Sequence, residues 1–389
     1  MDSVVVVAAA RTPLGAFNGK LKSLSATDLG SIVLKKVVES VAGEVDGVYM
    51  GCVLSAGLGQ SAARQSAIGA GLDYGVNCLN INKVCGSSMA ATMLAASSLI
   101  SGDADVLIAG GMESMTNSPY LLEKARFGYR FGDATLVDHM VKDGLLDAYE
   151  KCVMGVYAED TAAEYAFNRE EQDEYSKNSF LKARKAIGDD VFKNEIVPIT
   201  VKEKKSEILV DADEIPFSVD LEKMKNLKPA FRENGTITAA SASSISDGAA
   251  ALLLMRESQA RERGLTPVAR IVAGSAFSQS PKLFTTAPIG AVKKVLKKSG
   301  WSVEDVDLFE INEAFAVVAM AVMKELSLDP SKVNIFGGAC ALGHPLGVSG
   351  ARIIVTLLNA MRVRGAQKGL ATLCVGGGEG VAMTFEALS

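Results

Sequence analysis

Val4-Val5-Val6-Val7-Ala8-Ala9 is an unbroken apolar, largely β-branched run, the pattern of a strand covered on both faces. The strand predicted from Ser3 to Ala9 ends at Arg11-Thr12-Pro13-Leu14-Gly15, where Pro13 and Gly15 break it. Helical spacing follows, with Thr27 placed to cap a helix from Asp28 to about Val41. Val45 to Val53 reads as a second buried strand and Ala62 to Gly71 as a helix, and Leu79 to Val84 leads into Cys85. The stretch Ala90 to Ile100 is rich in Ala and Leu and holds no Gly or Pro, so it reads as helix. Ala104 to Ala109 then forms a strand ending in Gly110-Gly111-Met112-Glu113. Strand and helix alternate, which predicts an α/β architecture.

The texture changes between Ser114 and about Ile245. Glu159 to Ala186 is charged and helical, and Lys202 to Glu207 is a charge run best read as a solvated face. Buried-strand character returns after Ser246-Asp247-Gly248, over Ala249 to Met255, and the alternation of strand and helix resumes through to Ser389. The predicted organisation is a first domain over 1–115 completed by 246–267, a loop-rich insert over 116–245, and a second domain over 268–389. An internal echo supports two similar halves. Cys85, a small-residue helix, Ser101-Gly102, a strand and Gly110-Gly111 recur in order as His344, the helix Ala351 to Arg362, Arg364-Gly365, the strand Gly369 to Val375 and Gly376-Gly377-Gly378.

At 389 residues the chain exceeds one simple core. A net charge of −5 gives no electrostatic reason for nucleic acid or an anionic membrane as partner. No apolar run is expected to reach the roughly 18 to 20 residues that span a bilayer. Met1 to Ala10 lacks a basic leader and reads as a strand, not a signal peptide. The 6 cysteines form no CxxC pair and the 2 histidines lie far apart, so no Cys/His metal site is expected. A reducing cytoplasm is the default compartment.

Four stretches offer chemistry. Cys85, in Asn82-Lys83-Val84-Cys85-Gly86-Ser87-Ser88, sits at a helix start, where free N–H groups and the helix dipole favour a thiolate; a small core hydrophobe is the plainer reading. His344 lies among glycines in Gly343-His344-Pro345, a turn able to aim a ring or simply to bury one. Cys374 closes a buried strand ahead of Gly376-Gly377-Gly378, whose N–H groups can form an anion nest. Asn312-Glu313 follows the strand Val306 to Ile311 and reads equally as a helix cap or as a site.

Together these stretches, with Ala10-Arg11-Thr12-Pro13 near the start, resemble the thiolase family along the whole chain. The resemblance implies a five-layered α/β/α/β/α sandwich of two duplicated domains with an inserted loop domain. It implies that Cys85 attacks a thioester carbonyl, that His344 deprotonates Cys85 and later shares an oxyanion hole with Asn312, and that Cys374 is the general acid/base. A second oxyanion hole would come from the N–H groups of Cys85 and Gly376. Glu313 reads as orienting its neighbours. No metal or bound prosthetic group is implied, only coenzyme A thioesters as substrates.

Within the family, Val141 to Ala148 and Met154-Gly155 resemble the biosynthetic branch, which joins two acetyl-CoA into acetoacetyl-CoA and CoA. Met115 to Met140 resembles its tetramer-forming loop, implying a homotetramer. The implied CoA-facing positions are Met154, Ala230, Phe231, Ala239, Ser243, Ile245, Ala314 and Phe315. Two departures stand out. Val153 occupies a position where biosynthetic relatives usually carry His, and Ile215-Pro216-Phe217 is apolar where the family often sets a basic residue against adenine, leaving Phe217 to stack. The alternatives are a degradative 3-ketoacyl-CoA thiolase, a ketoacyl synthase (disfavoured by the scarcity of His) and a non-enzymatic thiolase-like lipid carrier, which would be expected to lack one of Cys85, His344 or Cys374.

Overall fold

The computed structural model describes residues 2–41, 44–202 and 206–388. In chain order the first part comprises β1 (Val4–Arg11), β2 (Gly15–Ala16), α1 (Ala26–Val37), β3 (Gly47–Gly51), α2 (Ala62–Gly69), β4 (Asn77–Ile81), α3 (Ser87–Ser101) and β5 (Val106–Ser114). The middle span carries the hairpin of β6 (Tyr120–Leu122) and β7 (Leu136–Asp138), then α4 (Met154–Glu164) and α5 (Arg169–Gly188). The hairpin of β8 (Ile199–Lys202) and β9 (Glu207–Val210) follows. Next come β10 (Ser246–Arg256), α6 (Glu257–Glu262), β11 (Ala269–Ser278), α7 (Ala287–Ser299) and β12 (Leu308–Ile311). The chain finishes with α8 (Ala316–Leu326), α9 (Ala339–Leu342), α10 (Ser349–Arg364), β13 (Lys368–Val375) and β14 (Glu379–Ala387).

Strand order among the described residues is β12-β13-β14-β11-β1-β10-β5-β3-β4. The order is a duplication. β3 and β5 run parallel, β5 and β10 antiparallel, and β10 and β1 antiparallel. The second half repeats this with β12 and β13 parallel, β13 and β14 antiparallel, and β14 and β11 antiparallel. β1 and β11 pair over Val4–Val6 and join the halves edge to edge.

Both faces of these strands are buried, as their continuous apolar runs require. On β1, Val4 and Val6 enter one core while Val5 and Val7 enter another; on β10, Leu252 and Leu254 split from Leu253 and Met255 in the same way. The first of these cores is shared by the halves, since Met383 and Phe385 of β14 also pack there. Helices α3 and α10 pack on each other and reach strands of both halves, so they form the middle layer. α1 and α2 cover the outer face of the first half, and α7, with Ala319 and Val322 of α8, covers that of the second. Five layers result.

Local departures from the sequence reading have physical causes. Ser25, not Thr27, caps α1: its Oγ accepts from the Asp28 N–H at 3.1 Å and the Asp28 carboxylate accepts from the Ser25 N–H at 2.9 Å. The helix begins at Ala26 accordingly. β5 does not end at Gly110-Gly111 but runs through to Ser114, because a Cβ at Gly111 would strike the Gly347 carbonyl and glycine alone permits that approach. The charged span Glu159 to Ala186 is two helices, broken ahead of Asn168, which forms a capping box with Glu171. Contrary to expectation, Val84–Ser101 is apolar and long enough to cross a membrane; here its helix α3 lies between the two half-sheets. In the charge run Lys202 to Glu207, residues 203–205 lie outside the described residues.

Candidate active site

Cys85 sits on a turn between β4 and α3 that hydrogen bonds hold in a strained conformation. Val84, a β-branched residue, has φ of 46°, in the left-handed region such side chains avoid. Its N–H donates to Asn82 Oδ1 at 2.9 Å, and its carbonyl accepts from Ser87 Oγ at 2.6 Å and from the Ser87 N–H at 3.1 Å. Ser87 Oγ in turn accepts from the Lys83 N–H at 2.9 Å. Burial pushes the Cys85 thiol up to about 11, while the N–H groups of Gly376 and of Cys85 itself pull it back. The helix start therefore does not leave a resting thiolate, as the sequence reading supposed. Desolvation outweighs the dipole, and Cys85 needs a base.

His344 supplies a candidate. Its N–H donates to the Ser244 carbonyl at 3.0 Å, its Nδ1 pairs with Ser349 Oγ, and its Nε2 lies 3.4 Å from Asn312 Nδ2. Burial, aided by the charge of Arg352, drives its pKa down to about 3, so the ring is neutral across physiological pH. The following loop is tied to the floor of the site by Glu113, the end of β5. Its carboxylate accepts from the N–H groups of Gly347 at 2.7 Å and of Val53 and Leu54, each at 3.0 Å.

Asn312 follows β12 and is buried, its N–H bound to the Thr372 carbonyl at 3.0 Å. Glu313 beside it accepts from Tyr175 Oη at 2.9 Å, Ser179 Oγ and Asn334 Nδ2 at 2.8 Å each, and the Cys340 N–H at 3.0 Å. All its capacity goes to fixing the start of α9 and the chain that leads to His344. Cys374 is fully buried near the end of β13, and burial together with the neighbouring Cys85 holds its thiol well above the ordinary range. β13 turns directly into β14, pairing Val375 with Glu379, through Gly377 (φ 91°) and Gly378 (φ 90°). That tight turn presents the Gly376 N–H to Cys85.

A cavity of about 620 Å³ opens over Cys85, His344 and Gly376. Met154, Ala230, Phe231, Ala239, Ser243, Ile245, Ala314 and Phe315 all line it. Asn312 and Cys374, both wholly buried, adjoin its lining: Asn312 Nδ2 lies 3.4 Å from His344 Nε2, and Cys374 packs in an apolar cluster with Phe284, Ala314 and Phe315. Further lining residues were not among the implied CoA-facing positions: Val141 and Leu145, from the stretch that resembles the biosynthetic branch, and Phe284 and Leu346. Val153, at the N-cap of α4, adds to the apolar wall. Ile215 lines the cavity, while Phe217 is exposed with the Arg184 guanidinium carbon 5.8 Å from its ring centre. A basic group thus does reach this corner, from α5. Among the described residues, no three His, Cys, Asp or Glu side chains gather as a metal cluster.

Residues 4–258 match the family model of the thiolase N-terminal domain and residues 265–387 that of the thiolase C-terminal domain. An acetyl-CoA acetyltransferase of Thiocystis violacea is 49% identical, covering 100% of both chains. The crystal structure of the Bacillus anthracis acetyl-CoA acetyltransferase superposes with a TM-score of 0.97 at 43% identity, over 100% of this chain and 99% of that one. The Acat5 thiolase of Ascaris suum, solved in complex with coenzyme A, gives 0.94 at 42% identity, over 99% and 100%.

Proposed function

The chain belongs to the thiolase family, and we propose that it is an acetyl-CoA acetyltransferase, catalysing the reversible condensation of two acetyl-CoA to acetoacetyl-CoA and CoA. The observation that carries this reading is Cys85 beneath an apolar cavity, with two backbone N–H groups directed at its sulfur and a neutral His344 lining the same space.

The chemistry follows from these protonation states. Cys85 passes its proton to His344 Nε2 as its sulfur attacks the acetyl carbonyl, and the oxyanion is held by the N–H groups of Cys85 and Gly376. The C–S bond to CoA breaks, and the leaving thiolate takes its proton from Cys374. Acetyl-Cys85, a protonated His344 and a Cys374 thiolate remain. A second acetyl-CoA places its thioester oxygen against His344 and Asn312, and Cys374 removes an α-proton. The enolate attacks acetyl-Cys85, the thioester bond to Cys85 breaks, and Cys85 recovers its proton from His344. In reverse, the protonated Cys374 favoured by burial is the acid that thiolysis requires. Every proton moves among Cys85, His344, Cys374 and the two substrates, so the scheme closes without a metal or prosthetic group.

The exposed apolar side chains of the β6–β7 hairpin region, Tyr120, Leu122, Phe127 and Phe131, support a homotetramer in which they are covered. A cytoplasmic location is part of the same proposal and rests on unpaired cysteines. The test is CoA-dependent cleavage of acetoacetyl-CoA beside six- and ten-carbon 3-ketoacyl-CoA. Preference for acetoacetyl-CoA is expected. Equal or faster cleavage of the longer substrates would move the enzyme to the degradative branch, and no cleavage of any would overturn the reading.

A further inference from the structure

Behind Asn312 lies a buried pair of ionisable side chains that the scheme above does not use; burial pushes the Glu310 carboxyl up to about 8. Arg352 of α10 and Glu310 of β12 are each almost wholly buried, with Nη1 and Oε2 3.5 Å apart. Among the described residues, both Glu310 oxygens and Arg352 Nε and Nη1 lack a hydrogen-bond partner. Two ionisable side chains left under-satisfied in a core are costly, and their retention asks for a reason. Arg352 Nη2 points to Asn312 Oδ1, at 3.5 Å.

That contact has a direction. A guanidinium only donates, so the end of the Asn312 amide facing Arg352 must be the oxygen. The NH₂ then faces His344 Nε2 and can only donate to it, leaving Nε2 as the acceptor. The ring proton consequently sits on Nδ1, against Ser349 Oγ, whose own hydroxyl donates to the Pro345 carbonyl at 3.0 Å. Every donor and acceptor from Arg352 to Pro345 is thereby fixed.

We propose that Arg352, held by Glu310, is a positioning residue that orients the Asn312 amide and keeps His344 as an uncharged base whose Nε2 is unprotonated. The inference rests on the thiolase reading of the site. The other charged and titratable groups around this chain are Glu313 at the end of β12, Glu195 and Arg11 beyond Arg352, Lys182 of α5, and Cys85 and Cys374 toward the cavity. Arg352 is the one whose charge raises the cost of protonating His344.

The test combines two variants with a direct probe. Arg352→Met should lose about a hundredfold in kcat for thiolysis with KM changed less than about threefold, the mark of a misplaced contact made in the transition state. The acid limb of its kcat/KM profile should move to higher pH. Arg352→Lys keeps the charge without the planar fork, so its limb should stay in place while kcat still falls. Folded variants with wild-type kcat and pH profile would overturn the proposal. The direct probe needs no variant: ¹⁵N-histidine NMR of the wild-type protein, which has only 2 imidazoles. His344 should show a protonated Nδ1 and a bare Nε2 from pH 5 to pH 9 (~ the range set by the ordinary His titration). A proton on Nε2, or titration near the ordinary His value, would refute it. Wild-type thiolysis in the same assay separates failure of this inference from failure of the proposed function.

Discussion

Lys83 and Glu379 form an ion pair that fastens the turn carrying Cys85 to the hairpin carrying Gly376. One residue lies two positions before Cys85 and the other begins β14, so the pair spans the two segments whose N–H groups converge on the Cys85 sulfur. Both side chains are about one-third exposed, at 30% and 32%, so the pair contributes little to stability, under about 1 kcal/mol. Its value is geometric. Lys83→Met and Glu379→Gln should each leave the thermal midpoint nearly unchanged but lower kcat about tenfold, because small displacements of oxyanion donors are expensive. The charge-reversed double variant Lys83→Glu/Glu379→Lys should recover most of that rate. Equal kcat in the single variants and wild type would deny the pair this role.

Cys85→Ala should form no acyl-enzyme, observed as the absence of a mass increase after incubation with acetyl-CoA. Cys374→Ser should acylate normally yet lose exchange of the acetyl-CoA methyl protons into deuterated water, together with condensation. The asymmetry arises because Cys85 makes the covalent bond, whereas Cys374, packed in the apolar cluster with Phe315, only moves a proton. Condensation retained in Cys374→Ser would remove that residue from the scheme.

His344 gives a pH signature of folding. Its pKa falls from the ordinary 6.5 to about 3 on folding, so between these values the unfolded chain binds a proton that the native state refuses. Native stability from this group is fully present above pH ~6.5 and is lost as pH falls toward the native pKa. Urea midpoints of wild type and His344→Asn should therefore converge as pH falls from about 7 to about 4. A constant difference across that range would show that His344 titrates alike in both states.

Cys85 and His344 stand out in the sequence because glycines and a helix start mark turns that few residues of their type share. The buried strands are legible for the same reason: a two-sided apolar run such as Val4–Val7 has few other uses. Glu113 is not legible. It reads as one acid after a strand, and only the fold brings the N–H groups of Gly347, Val53 and Leu54 to it. The Arg352–Asn312 contact likewise joins positions forty residues apart on different elements. The thiolate expected at Cys85 fails because a helix terminus can be read from sequence but the desolvation of a sulfur cannot.

Val153 tests how far one wall residue sets substrate choice. It stands at the N-cap of α4, makes no side-chain capping bond, and borders the cavity next to Met154. Val153→His would bring a ring with one free N–H to the wall beside Met154, within a cavity already lined by His344. A hydrogen bond to the substrate arm forms in ground and transition states alike, so KM for acetoacetyl-CoA should fall several-fold while kcat stays within about twofold. The bulkier ring also narrows the space for a longer acyl chain, and the ratio of acetoacetyl-CoA to ten-carbon cleavage should rise. Because Val153 offers no capping bond to lose, the thermal midpoint should not fall. An unchanged KM and chain-length ratio would mean that the substrate arm runs clear of Val153, and that chain length is set instead by Leu145, Ile245 and Leu346, packed around Cys85.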